Sequence, residues 1–316
     1  MSESESKIVR DLELITAPSP LGLRPPAPGH IPGVRRMPAA LIAAGLLDGV
    51  PLAKRVDLQE PAYRFEPDTV SGIRNLPELV VFTVQLARVV SASLRSHRFP
   101  VIVGGDCSVL LGPALALRKL GRHGLVHLDG HHDFGHEGNT GKPYASIAGA
   151  DLAVVTGRGP EELTNISNLK PYFRDQEVIQ LGEKPDPATS DDSLNDFPRT
   201  RIRRFPLLEI NRLGIEQVMQ TITGELDRAP ISGFWLHIDL DVLDPVVMPA
   251  VDSPDPTGLN WQELDTALGH LVGHRRLLGL NVGIYDPDLD PDSQHARKIA
   301  ALLRRHLLIL AGREDS

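Results

Sequence analysis

The sequence predicts a three-layer α/β/α sandwich around a mostly parallel central sheet. Short β-rich runs alternate with longer stretches whose apolar residues recur every three or four positions, the pattern of a parallel sheet covered by helices. Several short runs are apolar throughout, as in Val101-Ile-Val103, which suits strands buried on both faces. The chain has 316 residues, 41% of them hydrophobic, enough for one substantial core and too apolar for a disordered segment.

The first strand is expected at Leu12–Thr16, followed by a Pro- and Gly-rich loop over Ala17–Pro38 that wraps the surface. Helical spacing of Leu79, Phe82, Leu86, Val90 and Leu94 predicts a helix within Asn75–Arg98. Pro100–Val103 is the next strand, and a Gly-Gly turn leads into a helix over Cys107–Leu120, with Asp106 or Ser108 as its cap. Further strands are expected at Gly124–Leu128, Glu177–Leu181, Arg201–Phe205, Gly233–Ile238 and Leu277–Ile284. Helices are expected at Ser146–Val155, Ile215–Leu226, Trp261–Val272 and Ser293–Leu310, the last with an apolar stripe of Ile299, Leu302, Leu303, Leu307 and Leu308 assigned to the core. Pro185–Pro198 is an acidic polar loop and Pro245–Gly258 a proline-rich one. With no repeat and no linker, residues 1–316 are expected to form a single domain, of which 1–32 is partly irregular.

Charge and composition exclude several function classes. Lys plus Arg is 33 against 41 Asp plus Glu, a net charge of −8, and no basic stripe with aromatics is present, so nucleic acid is not an expected partner. No apolar run reaches the roughly 18 residues of a membrane span. Met1–Lys7 is polar and carries Glu3 and Glu5, unlike a signal or transit peptide, so a cytoplasmic protein is expected. Cys107 is the one cysteine, which leaves no intrachain disulfide.

Two acidic clusters follow strands directly, where sheets of this class bind ligands. In Leu125-Val-His-Leu-Asp-Gly-His-His-Asp133, residues Asp129, His131 and Asp133 alternate and share one face. In Phe234-Trp-Leu-His-Ile-Asp-Leu-Asp-Val-Leu-Asp-Pro245, Asp239 and Asp241 do the same. Acids at strand ends commonly cap helices and close turns, and for one cluster that use would prevail. Two such clusters point instead to a cation, since like charges gathered at buried strand ends are costly without one. Oxygen and imidazole donors suit Mn, Fe, Co or Zn. His127, His132 and His237 are assigned the opposite parity and are read as packed or solvated. In Val101-Ile-Val-Gly-Gly-Asp-Cys-Ser108, Cys107 lies where a strand meets a helix start, a setting that lowers a thiol pKa, although a buried small residue is the plainer use. The glycine turn has neither dinucleotide nor P-loop spacing.

Gly104-Gly-Asp-Cys-Ser108, Asp129-Gly-His-His-Asp133 and His237-Ile-Asp-Leu-Asp-Val-Leu-Asp-Pro245 together resemble the motifs G-G-D-H-S, D-A-H-x-D and S-x-D-x-D-x-x-D-P of the ureohydrolase (arginase/agmatinase) family, in the same order. Gly33-Val-Arg-Arg-Met-Pro-Ala-Ala-Leu41, followed by Ala44-Gly-Leu46, is similar to its early glycine-and-helix segment, so the likeness runs from Gly33 to the C-terminal helix. The resemblance implies an arginase-like fold, a homo-oligomer (trimer or hexamer), a small guanidino-type substrate and two divalent metals per chain, usually manganese. Cys107, Asp129, Asp133 and Asp239 would hold one metal, and His131 and Asp241 the other, with Asp129 and Asp239 shared. In the family the pair bridges a hydroxide that attacks a guanidinium carbon, and Asp133 would orient it.

The departures from the family pattern bear on the chemistry. Cys107 replaces the family histidine, and a softer thiolate admits Zn, Fe, Co or Ni. Ala148 stands where arginase has a proton-shuttling histidine, Gly135 where an asparagine holds the substrate's α-carboxylate, and Ile284 where a glutamate faces guanidinium, Asp286 being the nearest acid. Arginine itself is therefore not the expected substrate. His136, in the loop Phe134–Tyr144, is the candidate replacement for the shuttle, with a solvated loop histidine as the plainer reading. Tyr144 and Tyr285 are candidates to line the pocket. The expected activity is metal-dependent hydrolysis of a linear C–N bond in a guanidino, hydroxyguanidino or formimino compound. The alternatives are a mononuclear zinc amide hydrolase of the deacetylase kind and a catalytically idle ligand-binding homologue.

Overall fold

Strands β1 (Leu12–Thr16), β2 (Leu52–Asp57), β3 (Phe99–Val103), β4 (Gly124–Leu128), β5 (Val178–Leu181), β6 (Arg203–Phe205), β7 (Phe234–Asp239) and β8 (Leu277–Gly283) form one sheet in the order β2-β1-β3-β8-β7-β4-β5-β6. Every neighbouring pair is parallel. The computed structural model describes residues 9–141, 145–185 and 196–313. Met1–Lys7, Tyr144 and most of the acidic loop expected at Pro185–Pro198 lie outside them.

Alternation along the strands feeds two cores. Leu12, Leu14, Val101, Val103, Val126, Leu128, Leu236 and Ile238 face α1 (Met37–Ala43), α8 (Ile215–Arg228), α9 (Trp261–Val272) and α10 (Gln294–Leu310). Ile15, Ile102, Leu125, Val178 and Trp235 face α2 (Leu76–Arg95), α3 (Leu111–Leu120), α5 (Asp151–Val155) and α6 (Glu161–Thr164). The three layers agree with the expected architecture. α2 is long and apolar enough by composition to cross a membrane, yet half of it is buried and it packs on α3. Gly112 permits the close approach, since a Cβ there would stand 2.5 Å from Leu86 Cγ.

The remaining helices are α4 (Glu137–Thr140), beside the site, and α7 (Leu207–Leu213). Several elements differ from expectation, among them the short helices α4 and α6, which were not expected, and the helix expected over Cys107–Leu120, which opens with a 3-10 turn over Cys107–Leu110. β2, Leu-Ala-Lys-Arg-Val-Asp, is an edge strand with mostly exposed side chains, so its charges serve against edge pairing and hide its period. The segment expected as one helix over Ser146–Val155 is a 3-10 turn, Ile147–Ala150, followed by the short α5. α7 was not expected and is ended by Gly214 at φ +84°.

The turn after β3 is built for glycine. Gly104 has φ +107°, and a Cβ there would stand 2.2 Å from Pro38 Cγ of α1. Gly104→Ala is expected to cost about 2–4 kcal/mol, combining backbone strain with overpacking, and to lower the urea midpoint accordingly.

Candidate metal centre

The carboxyl ends of β3, β4 and β7 meet in the middle of the sheet, and each delivers part of one polar cluster. After β3, the Asp106 side chain caps a 3-10 turn over Cys107–Leu110 by accepting from Ser108 N (2.8 Å), while its other oxygen accepts from Gly22 N (2.9 Å). Both oxygens are used structurally, and burial raises this carboxyl to about 6. Cys107 is thereby directed at β7, where its thiol donates to Asp239 Oδ2 at 2.6 Å.

Asp239 ends β7 and also accepts from Asp241 N through Oδ1 (2.8 Å). Asp241 in turn accepts from Gly130 N (3.1 Å), tying the β7 end to the β4 end. Beyond β4, Asp129 Oδ1 accepts from His131 N (2.6 Å), and Asp129 Oδ2 is buried without a hydrogen-bond partner. His131 Nδ1 lies 2.8 Å from Asp241 Oδ2 and Nε2 lies 2.9 Å from Asp255 Oδ2. Asp133, buried and at φ +42°, is coupled electrostatically to Asp129, Asp151 and Cys107. All six side chains expected as ligands thus gather in one place.

Four buried carboxylates need compensating positive charge. His131 supplies some: burial opposes its protonation, but Asp241, Asp129 and Asp239 raise it to about 11. Lys184, buried, bonds Leu243 O (3.2 Å) and Asp255 O (3.1 Å). Burial works against an ionised Asp241, yet His131 and then Lys184 hold it below the ordinary carboxylate range. Elsewhere in the cluster burial and like charge prevail, at Asp129 even against the lowering effect of His127, His237 and His131. Burial, then Asp241 and Asp129, push Asp239 well above its ordinary value; burial, then Asp129 and Asp151, do the same to Asp133. Burial and then Asp239 push the Cys107 thiol up likewise. A metal-free cluster of this kind holds protons that divalent cations would replace.

The donor geometry fits that replacement. Asp129, His131 and Asp241 form one group, and Cys107, Asp129 and Asp239 together with His237 form a second, with Asp129 common to both. Asp129 Oδ2, buried without a hydrogen-bond partner on the residue common to both groups, is an atom that a cation would satisfy. Asp255, opposite the far nitrogen of His131, is the carboxylate that orients a metal-binding imidazole.

The other expected site residues fare differently. His136 is spent on its own loop: Nδ1 accepts from Gly138 N, capping α4, and Nε2 faces Asp196 Oδ1 at 3.2 Å. Neither ring nitrogen bonds any of the six ligand positions. Tyr285 is buried with its hydroxyl on Asp290 Oδ2 (2.8 Å), which removes it from the pocket wall. Asp286 uses Oδ2 on Gly33 N and Oδ1 on Asp288 N. Ile284 and Ala148 are buried, and Ile284 is held at φ +74°, a strained conformation for a β-branched residue.

His127 and His237 correct the sequence reading. They lie two residues before Asp129 and Asp239 and so share their face; the opposite parity assigned to them is wrong. Both are fully buried and their rings stack at 4.7 Å between centroids. Asp151, Lys184, Asp255 and Asn281 also belong to the surroundings, and none stands in a motif. Asp151 alone had a weak signal, an acid in an otherwise apolar stretch.

A parallel α/β sandwich with carboxylate, imidazole and thiol donors gathered at its central strand ends defines a candidate metallohydrolase. The Arginase family model matches residues 27–309, and the chain belongs to that family, whose members are hydrolases acting on guanidino or amidino C–N bonds. The chain is 27% identical over 307 residues to an arginase of Staphylococcus aureus, covering 92% of this chain and 95% of that one. The native arginase structure from Bacillus caldovelox superposes with a TM-score of 0.82 at 25% identity, covering 98% of this chain and 100% of that one. A formimidoylglutamase from Bacillus subtilis shares the fold with a TM-score of 0.69 at 18% identity, covering 98% and 89% of the two chains.

Proposed function

We propose that this protein hydrolyses a linear C–N bond in a guanidino, hydroxyguanidino or formimino compound with the help of two divalent cations. The carrying observation is the convergence of Cys107, Asp129, His131, Asp239 and Asp241 from three strand ends, with Asp129 common to two donor groups and Asp133 within the electrostatic reach of Asp129, Asp241 and Cys107. Bound there, a pair of cations supplies hydroxide near neutral pH and offsets charge developing on the substrate.

The protein's own groups do the rest. Asp129 and Asp239 would face both cations, Cys107 and Asp133 one of them, and His131 and Asp241 the other. Once a cation displaced the proton that His131 Nδ1 shares with Asp241, Asp255 would hold the ring in the tautomer that offers Nδ1. Asp133 is the carboxylate we assign to orient the nucleophile and hold its proton. Small and apolar groups at Gly135, Ala148 and Ile284 offer nothing to an α-carboxylate or a guanidinium, so arginine is not the substrate we assign. For a cationic group on the substrate we assign Asp252, whose carboxyl senses Asp241 of the cluster. Among the described residues its only hydrogen bond is from Ser253 Oγ (3.3 Å), and burial, together with Asp286 and Asp241, raises its carboxyl despite Arg24.

The test combines metal content with product release. Protein purified without chelator is expected to carry two metals per chain, falling to one in Cys107→Ser. It is expected to release urea, ammonia or formamide from at least one member of a broad guanidino and formimino panel, and not from arginine. Two-metal protein that is silent on the whole panel overturns the reading. One tightly held zinc with amide hydrolysis would establish the mononuclear alternative in its place.

A further inference from the structure

A polar row crosses the centre of the sheet one pleat beneath the Asp129–Asp239 pair. Strand register aligns Gln180 of β5 with His127 of β4, His127 with His237 of β7, and His237 with Asn281 of β8. All four side chains are at most 1% exposed. Four adjacent buried polar residues across the middle of a sheet are expensive unless each has a defined bonding role.

The β7–β8 half of the row is wired in one direction, while His127 bonds Asp151 Oδ1 through Nε2 (3.2 Å). Trp235, fully buried, has a donor-only indole N–H and gives it to Asn281 Oδ1 at 2.8 Å. The Asn281 amide nitrogen therefore faces His237 Nδ1, at 2.7 Å. An amide NH2 can only donate, so Nδ1 of His237 must accept, and a neutral ring then carries its proton on Nε2. Turning the asparagine over would set two donors against each other at Trp235 and leave the indole N–H orphaned. Nε2 of His237 is directed between two buried carboxylate oxygens, 3.8 Å from Asp129 Oδ2 and 3.8 Å from Asp151 Oδ2, too far for a hydrogen bond to either, and His127 Nε2 stands 3.6 Å from the same Asp129 oxygen. At the opposite end, Gln180 Nε2 donates to Asp129 O (3.2 Å) and His131 O (2.9 Å), fixing the backbone that carries two ligand positions.

From this wiring we infer that His237 is a positioning residue fixed as its Nε2–H tautomer by Trp235 and Asn281, aiming Asp129 from below, and not a metal ligand despite its coordinating distance from Cys107, Asp129 and Asp239. The inference rests on the two-metal reading of the site and deepens it. A metal-binding imidazole must present a lone pair at the nitrogen facing the cation and donate its other N–H to an acceptor. His131 can meet both, with Asp255 taking its Nε2–H and a cation displacing the Nδ1 proton; His237 meets neither, because an amide donor occupies its Nδ1. The chain has therefore not replaced its missing first-motif imidazole with His237, and that position relies on one thiolate and three carboxylates.

Nitrogen-15 spectra of histidine-labelled protein, with His237→Gln to assign the signal, read the tautomer directly. The expected result is an unprotonated Nδ1 and a protonated Nε2 for His237, unchanged when zinc is added, while the His131 signals shift. A protonated Nδ1, or an Nε2 that loses its proton on zinc loading, overturns the inference. Zinc titration of His237→Leu separates positioning from packing: because Asp129 is common to both donor groups, affinity for both ions is expected to weaken, about 10- to 100-fold, and unchanged affinity overturns the positioning role. Should that variant fail to fold, the wild-type spectra still decide. If wild-type protein binds no zinc, the two-metal reading fails, whereas the tautomer is still read in metal-free protein.

Discussion

Asp239→Asn is expected to abolish detectable hydrolysis and at the same time to stabilise the metal-free protein. Asp239 is fully buried between Cys107 Sγ, 2.6 Å away, and the backbone N–H of Asp241, 2.8 Å away. Asparagine keeps the volume and can still accept from Asp241 N through its carbonyl oxygen. What it loses is the charge meant for two cations. Losing a shared ligand removes several kcal/mol of transition-state stabilisation, a factor on the order of 10³ or more in kcat/KM. Metal content should fall with it. In the metal-free protein the sign reverses, because Asp239 stands among Asp129, Asp133 and Asp241 in a buried setting that already drives its carboxyl to hold a proton. Removing that frustration is expected to add about 1–3 kcal/mol at pH 8, read from urea denaturation. A turn-closing aspartate with no metal role would give the opposite pair, preserved metal content and lowered stability.

The sheet was legible because most strands are buried on both faces, and such strands announce themselves as apolar runs. β2 escaped because an edge strand satisfies a different demand: Lys54 and Arg55 belong at an edge and erase the pattern. The candidate donor cluster was legible because alternation after a strand places Asp129, His131 and Asp133 on one side by geometry alone. Its support was not. Asp255 reaches His131 across 124 positions of sequence and Asn281 reaches His237 across 44, and no local spacing encodes either contact. Counting parity more strictly would have placed His127 and His237 with the ligands, since both are odd-numbered like Asp129 and Asp239. His136 shows a role that its neighbourhood in sequence does not announce. A histidine next to a motif suggested a shuttle, but its ring is used to start α4, a role that Asn139 reinforces by accepting from the His136 backbone N–H.

Metal and pH are expected to act on stability in opposite directions. In metal-free protein, burial raises Asp106 to about 6 and Asp151 to about 7, and burial with neighbouring carboxylates raises Asp129, Asp133 and Asp239 as well. Each such group holds its proton more tightly folded than unfolded. Its stabilising contribution is complete below the ordinary carboxyl value of 3.8 and is lost as pH rises through the folded value, so for Asp151 the loss falls between about 4 and 7. His131 acts in the same direction at higher pH, its contribution being lost between 6.5 and about 11. Asp241, held below its ordinary value, opposes the others only at acid pH. The Tm of chelator-stripped protein is therefore expected to fall by about 5 °C or more from pH 5 to pH 8. Divalent cations compete with those same protons, so their affinity tightens as pH rises and loading releases protons to the buffer. At a free metal concentration about 1,000 times Kd, each site adds roughly 4 kcal/mol. The Tm increment on adding zinc or manganese should accordingly grow from pH 5 to pH 8, and calorimetry in buffers of different ionisation enthalpy should register the proton release. An increment independent of pH, or a stripped protein that gains stability over that range, would mean that the buried carboxylates are satisfied within the fold and do not wait for metal.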